Sequence, residues 1–206
     1  MTGRVADWDA IPHARRNRWQ RIAASTHGIV TPGNLVSFIS IIIAIGGFVL
    51  LYQDKLLAGF IGVTLGRIFD VLDGYAAHYT GTKSSVGELV DAGMDKIVML
   101  VAFLVFAATG LVPFWPLVLL GIQQLVAAML GGYARLKHLH LHPSRMGKYA
   151  AVVQWAALLM YVLFAIIGDV PGMLVSVLHG VFIVSIIAGY AATYGYVVFV
   201  YRASRS

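Results

Sequence analysis

This chain reads as an all-α, polytopic membrane protein, with six transmembrane helices preceded by an amphipathic helix in the membrane interface. Three observations support that. Hydrophobic residues make up 59% of its 206 residues, too large a share for an ordinary soluble domain. Six apolar runs, each long enough to cross about 30 Å of hydrocarbon, are separated by short polar or Pro/Gly-bearing joints. Basic residues collect on one side of those runs, the asymmetry expected of cytosolic loops. No Pro/Gly/Ser-rich linker, low-complexity tract or internal repeat divides the chain. A single domain over 1–206 is therefore expected, with 1–30 as a leader and 34–200 as a six-helix bundle.

In order, residues 11–27, IPHARRNRWQRIAASTH, carry Arg15, Arg16, Arg18 and Arg21 beside Ile11, Trp19 and Ile22. That mixture suits a helix lying in the membrane interface with its arginines toward anionic headgroups. A solvated basic leader fits the same residues. The first thirty residues lack the apolar core of a signal peptide, so insertion is expected to rely on the later spans. Thr31-Pro32-Gly33-Asn34 makes a turn and caps the next helix. Spans are expected near 34–53, 56–80, 86–110, 115–137, 148–168 and 173–200. Asp54-Lys55, Gly81-Thr82-Lys83, Leu111-Val112-Pro113, the basic stretch 135–148 and Gly168-Asp169-Val170-Pro171 form the joints. The leader, Lys83, Arg135, Lys137, Arg145, Lys148, Arg202 and Arg205 fall on one side, against Lys55 on the other. The positive-inside rule places both termini and the joint at Thr82 in the cytosol, in a multi-pass protein of the inner, cytoplasmic cell membrane. The partner expected of these basic residues is a bilayer, and no nucleic acid. Cysteine is absent, which excludes disulfides, thiolate nucleophiles and Cys-based metal sites.

Between these spans the acids are not spread evenly. Five of the nine, Asp70, Asp73, Glu88, Asp91 and Asp95, fall between residues 70 and 95. An acid costs several kcal/mol within a bilayer unless it is paired, hydrated or metal-bound. Asp70 and Asp73 are three apart, and Asp91 and Asp95 four apart, so each pair projects from one helix face. A turn near Thr82 brings the four to one level in an antiparallel hairpin, and like charges that close need cations between them. The level lies about two helical turns below the cytosolic surface, which suits a pocket open to the cytosol better than a transporter's midplane site. Small residues recur around the acids: Gly74, Ala76, Ala77, Gly87, Ala92 and Gly93. They let two helices approach closely, and they also leave room for a bulky ligand.

The run Asp70-x2-Asp73-Gly74-x2-Ala77-His78-x8-Gly87-x3-Asp91-x3-Asp95 resembles the signature of the CDP-alcohol phosphotransferase family. It departs at one fixed position, His78, where that family has arginine. Imidazole is shorter and mostly neutral near pH 7, and Lys83 and Arg67 are the nearby cations that offer compensation. The resemblance implies a six-helix membrane enzyme, usually a homodimer, that moves a phosphatidyl or related group from a CDP-linked donor such as CDP-diacylglycerol to an alcohol and releases CMP. It further implies that Asp70, Asp73 and Asp91 bind one or two divalent cations, Mg²⁺ or Mn²⁺. Asp95 would be the general base and a possible ligand, and Asn34, Asp73, Gly74, Ala77, His78, Lys83 and Gly87 would meet the CDP group. The residue types suit that chemistry on their own terms. Hard cations held by carboxylates neutralise charge at a transferring phosphoryl group, and a carboxylate in reach can take the acceptor's proton.

Residues 144–154, SRMGKYAAVVQ, are similar to the GK-x-x-T-x-x-Q element of bacterial phosphatidylglycerophosphate synthases, with Gly147, Lys148 and Gln154 matching and Ala151 in place of threonine. Arg135, Arg145 and Lys148 are therefore expected to contact an acceptor phosphate, glycerol 3-phosphate first. Inositol phosphate would use the same kind of group, phosphatidylglycerol as acceptor would yield cardiolipin, and ordinary positive-inside anchoring accounts for the same three cations. His138, His140 and His142 alternate before Pro143 and read as interfacial polar residues, since alternation does not converge on a helix. Arg67, three residues before Asp70, neutralises an acid or touches substrate. Glu88 caps its helix start electrostatically. His179 is expected to pack or to make one hydrogen bond, and Gln123 and Gln124 to face the bundle interior. Thr31 and Asn34 touch the nucleotide or merely cap a helix. A membrane prenyltransferase is disfavoured because it would place two acidic motifs on well-separated helices. A cation carrier is disfavoured because spans one, four, five and six have no acid in their interiors.

Overall fold

The computed structural model describes Ala6, Trp8 and residues 11–137 and 144–203. Among these residues the chain is helical, with no β-strand beyond an isolated antiparallel bridge between Ala6 and Ser84. After a short 3-10 turn at His13–Arg15 come α1 (Arg18–Ser25), α2 (Pro32–Tyr52), α3 (Leu56–Thr80), α4 (Ser85–Thr109), α5 (Phe114–Leu136), α6 (Arg145–Ile167) and α7 (Gly172–Ala203). Four of them, α2, α5, α6 and α7, are long and apolar enough to cross a membrane. The remaining long helices, α3 and α4, carry the aspartates. Large apolar side chains such as Phe38, Ile42, Ile122 and Val184 face outward, as in proteins whose surroundings are lipid.

Local chemistry sets the helix ends. The Thr31 hydroxyl accepts from the Asn34 backbone N–H at 3.1 Å, with Pro32 in the first turn, so α2 starts two residues earlier than the apolar run suggested. α3 stops at Gly81, whose φ of 62° is left-handed, and the Thr82 N–H returns to the Ala77 carbonyl at 3.0 Å. Ser84 then caps α4, its hydroxyl accepting from the Gly87 N–H at 3.0 Å. Ser144 caps α6 in the same way at 3.0 Å to Gly147, which draws Arg145 and Lys148 into the first turn instead of the preceding joint.

The chain divides into two compact units, 1–105 and 106–206. In the first, α2 and α3 lie close along their length. A β-carbon on Gly47 would overlap the Val63 backbone, and one on Gly66 would sit 2.9 Å from the Ala44 Cα. The N-terminal segment folds onto the α3–α4 turn: Trp8 and Ala23 are buried, and the inner face of α1 reaches the turn through Asn17 and Gln20. Arg18, Trp19, Arg21 and Ile22 are left exposed on its outer face.

In the second unit α7 packs against α6 and α5. Gln154, 1% exposed, donates through Nε2 to Gln123 Oε1 at 2.9 Å and to the Ser185 carbonyl at 3.1 Å, and its own carbonyl accepts from Gln124 at 3.3 Å. An amide inside an apolar bundle is tolerable when its groups are satisfied in this way. His179 bonds through Nδ1 to the Val175 carbonyl at 2.8 Å and stacks edge-on against Tyr161.

Candidate metal centre

Residues 67–78 of α3 place Arg67, Asp70, Asp73, Gly74 and Ala77 on one helical face. The turn at 81–84 sends α4 back, and the result is a convergence of carboxylates: oxygens of Asp70, Asp73 and Asp91 all lie within 4.8 Å of one another. Asp73 is buried, and its Oδ2 accepts from the Ser37 hydroxyl on α2 at 2.5 Å. Ser37, itself buried, also bonds the Gly33 carbonyl at 3.1 Å.

Asp95 stands apart from that group. The Arg67 guanidinium takes Asp95 Oδ1 on Nη1 at 2.9 Å and Asp70 Oδ2 on Nη2 at 3.2 Å, bridging the two helices. The Asp95 side chain is 50% exposed where those of Asp70 and Arg67 are about one-fifth exposed. Carboxylates brought this close repel one another when ionised, which favours a cation among them. The donor set fits one: three carboxylates from two helices supply hard oxygen ligands of the kind Mg²⁺, Mn²⁺ and Ca²⁺ accept.

Around this cluster the nucleotide-site candidates divide. Gly74 faces open space, where a β-carbon would meet nothing within 4 Å. His78 and Lys83 are exposed at the end of α3 and in the turn. Ala77 is partly buried against the first turn of α2, where a β-carbon on Gly33 would lie 2.9 Å from its methyl. Asn34 directs its amide nitrogen to the carbonyls of Gly28 and Ile29 at 3.1 and 2.8 Å, while its Oδ1 lies 3.2 Å from where Gly87 would carry a β-carbon. It thus joins the loop before α2 to the start of α4.

At Gly74 and Gly93 the small residues leave room for a ligand and do not pack α3 against α4. Gly74 and Gly93 both border open space, and the tight glycine contacts run between α2 and α3 at Gly47, Gly59, Gly62 and Gly66. Sequence reasoning also missed Ser37. The signal was available, since Asn34, Ser37 and Ser40 recur every third residue in an otherwise apolar helix.

Of the acceptor candidates, Arg145 and Lys148 are exposed, three apart in the capped first turn of α6. The side chains of Arg135 and Glu88, and residues His138, His140 and His142, lie outside the described residues.

Among curated proteins none matches the chain. A family model does: the one described as CDP-alcohol phosphatidyltransferase matches residues 30–200. That stretch begins just before α2, contains the whole aspartate hairpin and ends inside α7. A match over so much of the sequence, centred on carboxylates that converge in space, makes this chain a member of the CDP-alcohol phosphatidyltransferase family, enzymes that transfer substituted phosphate groups.

Proposed function

We propose that this protein transfers the phosphatidyl group of CDP-diacylglycerol to an alcohol in a metal-dependent reaction that releases CMP. Glycerol 3-phosphate is the acceptor we favour, which makes the product phosphatidylglycerophosphate. The observation that carries this reading is the convergence of Asp70, Asp73 and Asp91 from two helices, with oxygens within 4.8 Å of one another.

Those three aspartates would hold Mg²⁺ or Mn²⁺, with Asp95 a candidate ligand for a second ion. A bound divalent cation supplies neutralisation of the charge that grows on the phosphoryl and leaving oxygens. Ser37 fixes the rotamer of Asp73, so one ligand is preorganised before any ion binds. Asp95 takes the proton of the attacking hydroxyl; Arg67, which spans Asp70 and Asp95, keeps that carboxylate aimed until acceptor arrives. As the acceptor oxygen bonds to the donor's lipid-side phosphorus, the bond to the CMP oxygen breaks and its electron pair leaves with CMP.

The open surface beside Gly74 suits the approach of the diphosphate, with Asn34, Asp73, Ala77, His78, Lys83 and Gly87 as the remaining CDP contacts. Arg135, Arg145 and Lys148 hold the acceptor's phosphate, a role favoured by the exposed Arg145–Lys148 pair at a helix start. The enzyme works as a homodimer of six-span subunits in the cell membrane, with termini, leader helix and active site on the cytosolic side.

The test is an acceptor panel. Purified protein is incubated with CDP-diacylglycerol, Mg²⁺ and, separately, glycerol 3-phosphate, inositol phosphate, inositol, serine or phosphatidylglycerol. Phosphatidylglycerophosphate as the lipid formed is the expected result. A different lipid product overturns the acceptor assignment, and no CMP release with any acceptor overturns the transfer itself.

A further inference from the structure

The α3–α4 turn is gripped from outside the hairpin. The Asn17 side-chain amide donates to the Thr80 carbonyl at 3.1 Å, and Gln20 Nε2 donates to the Gly81 carbonyl at 3.3 Å. These two residues are also the capping box of α1: Asn17 Oδ1 accepts from the Gln20 N–H at 2.8 Å, and Gln20 Oε1 accepts from the Asn17 N–H at 3.1 Å. Each side chain therefore uses its oxygen to build α1 and its nitrogen to hold the turn. The bridge from Ala6 to Ser84 ties the same N-terminal segment to the end of the turn, and Trp8 and Ala23 of that segment are buried.

We propose that Asn17 and Gln20 are positioning residues for the metal centre, clamping the turn so that α4 returns in the register that brings Asp91 to Asp70 and Asp73; this rests on the reading of those three aspartates as metal ligands. The leverage is short. Asp73 is two helical turns before Gly81, and Asp91 is two turns after Ser84. Both helices are stiff over that distance, so the rotation of the four-residue turn sets where the carboxylates meet. Ligand constellations lose function on displacements of about half an ångström to one ångström. The Thr80 and Gly81 carbonyls lie at the C-terminal end of α3, where helix carbonyls lack partners within the helix. The clamp supplies them from a different segment of this unit.

Two isosteric variants separate the clamp from the cap. Asn17→Asp and Gln20→Glu keep the oxygens that cap α1 and remove only the nitrogens that donate to the turn. Mn²⁺ binding to detergent-purified protein is titrated by electron paramagnetic resonance, and CMP release is measured across Mn²⁺ concentration. Each variant is expected to bind Mn²⁺ several-fold more weakly and the pair about tenfold, the scale of two hydrogen bonds, with turnover restored toward wild type by excess Mn²⁺. Each added carboxylate also repels the carbonyl it faces, so a neutral variant is needed beside the acidic ones. Neutral Gln20→Met is expected to weaken binding as Gln20→Glu does. Unchanged Mn²⁺ affinity in all three, whatever happens to the melting temperature, overturns the inference. If instead wild-type protein and Asp91→Asn bind Mn²⁺ equally well or not at all, the metal assignment fails first and the clamp's role falls with it.

Discussion

Asp73 is buried with its Oδ2 accepting from the Ser37 hydroxyl at 2.5 Å, a pairing that helps set how the carboxylate is presented. A hydrogen bond to a charged group contributes about 1.5–3 kcal/mol. Ser37→Ala is therefore expected to lower CMP release by about tenfold while the protein still melts cooperatively; full activity would mean that Asp73 is oriented by something else. His78 carries a second prediction. Placing arginine there restores a long, permanently charged donor at an exposed position beside the aspartates. His78→Arg should reduce the KM for CDP-diacylglycerol several-fold with little change in kcat, and an unaltered KM would shift the diphosphate contact to other cations. The aspartates were legible in the sequence because acids at helical spacing have no ordinary reason to stand in an apolar run. The polar stripe that holds Ser37 was legible too, but its partner was not, since Ser37 meets Asp73 across 36 residues and no spacing rule links a serine on one helix with an acid on the next.

At the level of helices, capping chemistry was readable and interhelical contact was not. Thr31 with Pro32, Gly81 and Ser144 mark helix ends through side-chain oxygens and backbone conformation that depend on near neighbours. Which helices touch depends on residues far apart. Gly59, Gly62 and Gly66 form a stripe at three- and four-residue spacing, as clear in the sequence as Gly74 and Gly93, yet the first set lies against α2 and the second borders open space. Neighbouring glycines on α2 give a sharp comparison. Gly47→Ala forces a methyl into the Val63 backbone, where overpacking typically costs about 1–3 kcal/mol, whereas Gly46→Ala meets nothing within 4 Å. Thermal melting of the detergent-solubilised protein should show a lower midpoint for Gly47→Ala and an unchanged or raised one for Gly46→Ala. Equal midpoints would contradict the close α2–α3 approach.

For the molecule as a whole, helical content and membrane character followed from composition together with the length of the apolar runs, since 59% hydrophobic residues cannot all be buried in 206. The number of crossings is a harder matter. Four helices qualify by apolarity, and α3 and α4 carry charge that a membrane accepts only when it is neutralised inside the protein. The absence of cysteine lets the proposed topology be measured with single introduced thiols. Ser25→Cys and Lys55→Cys, each a lone thiol, are expected to react with a membrane-impermeant maleimide from opposite sides of sealed vesicles, Ser25→Cys from the cytosolic side. Labelling from the same side would overturn the proposed cytosolic placement of the site. The central claim is that three converging aspartates hold the divalent ion required for CMP release. Its most direct measurement is the rate of CMP release from CDP-diacylglycerol by wild type and Asp91→Asn, each with Mg²⁺ and after chelation. Chelation is expected to stop the wild type reversibly, and Asp91→Asn, folded and extractable, to lose at least about a hundredfold, as removal of a group central to transition-state charge stabilisation does. Chelator-resistant release, or Asp91→Asn turning over at the wild-type rate, would contradict it.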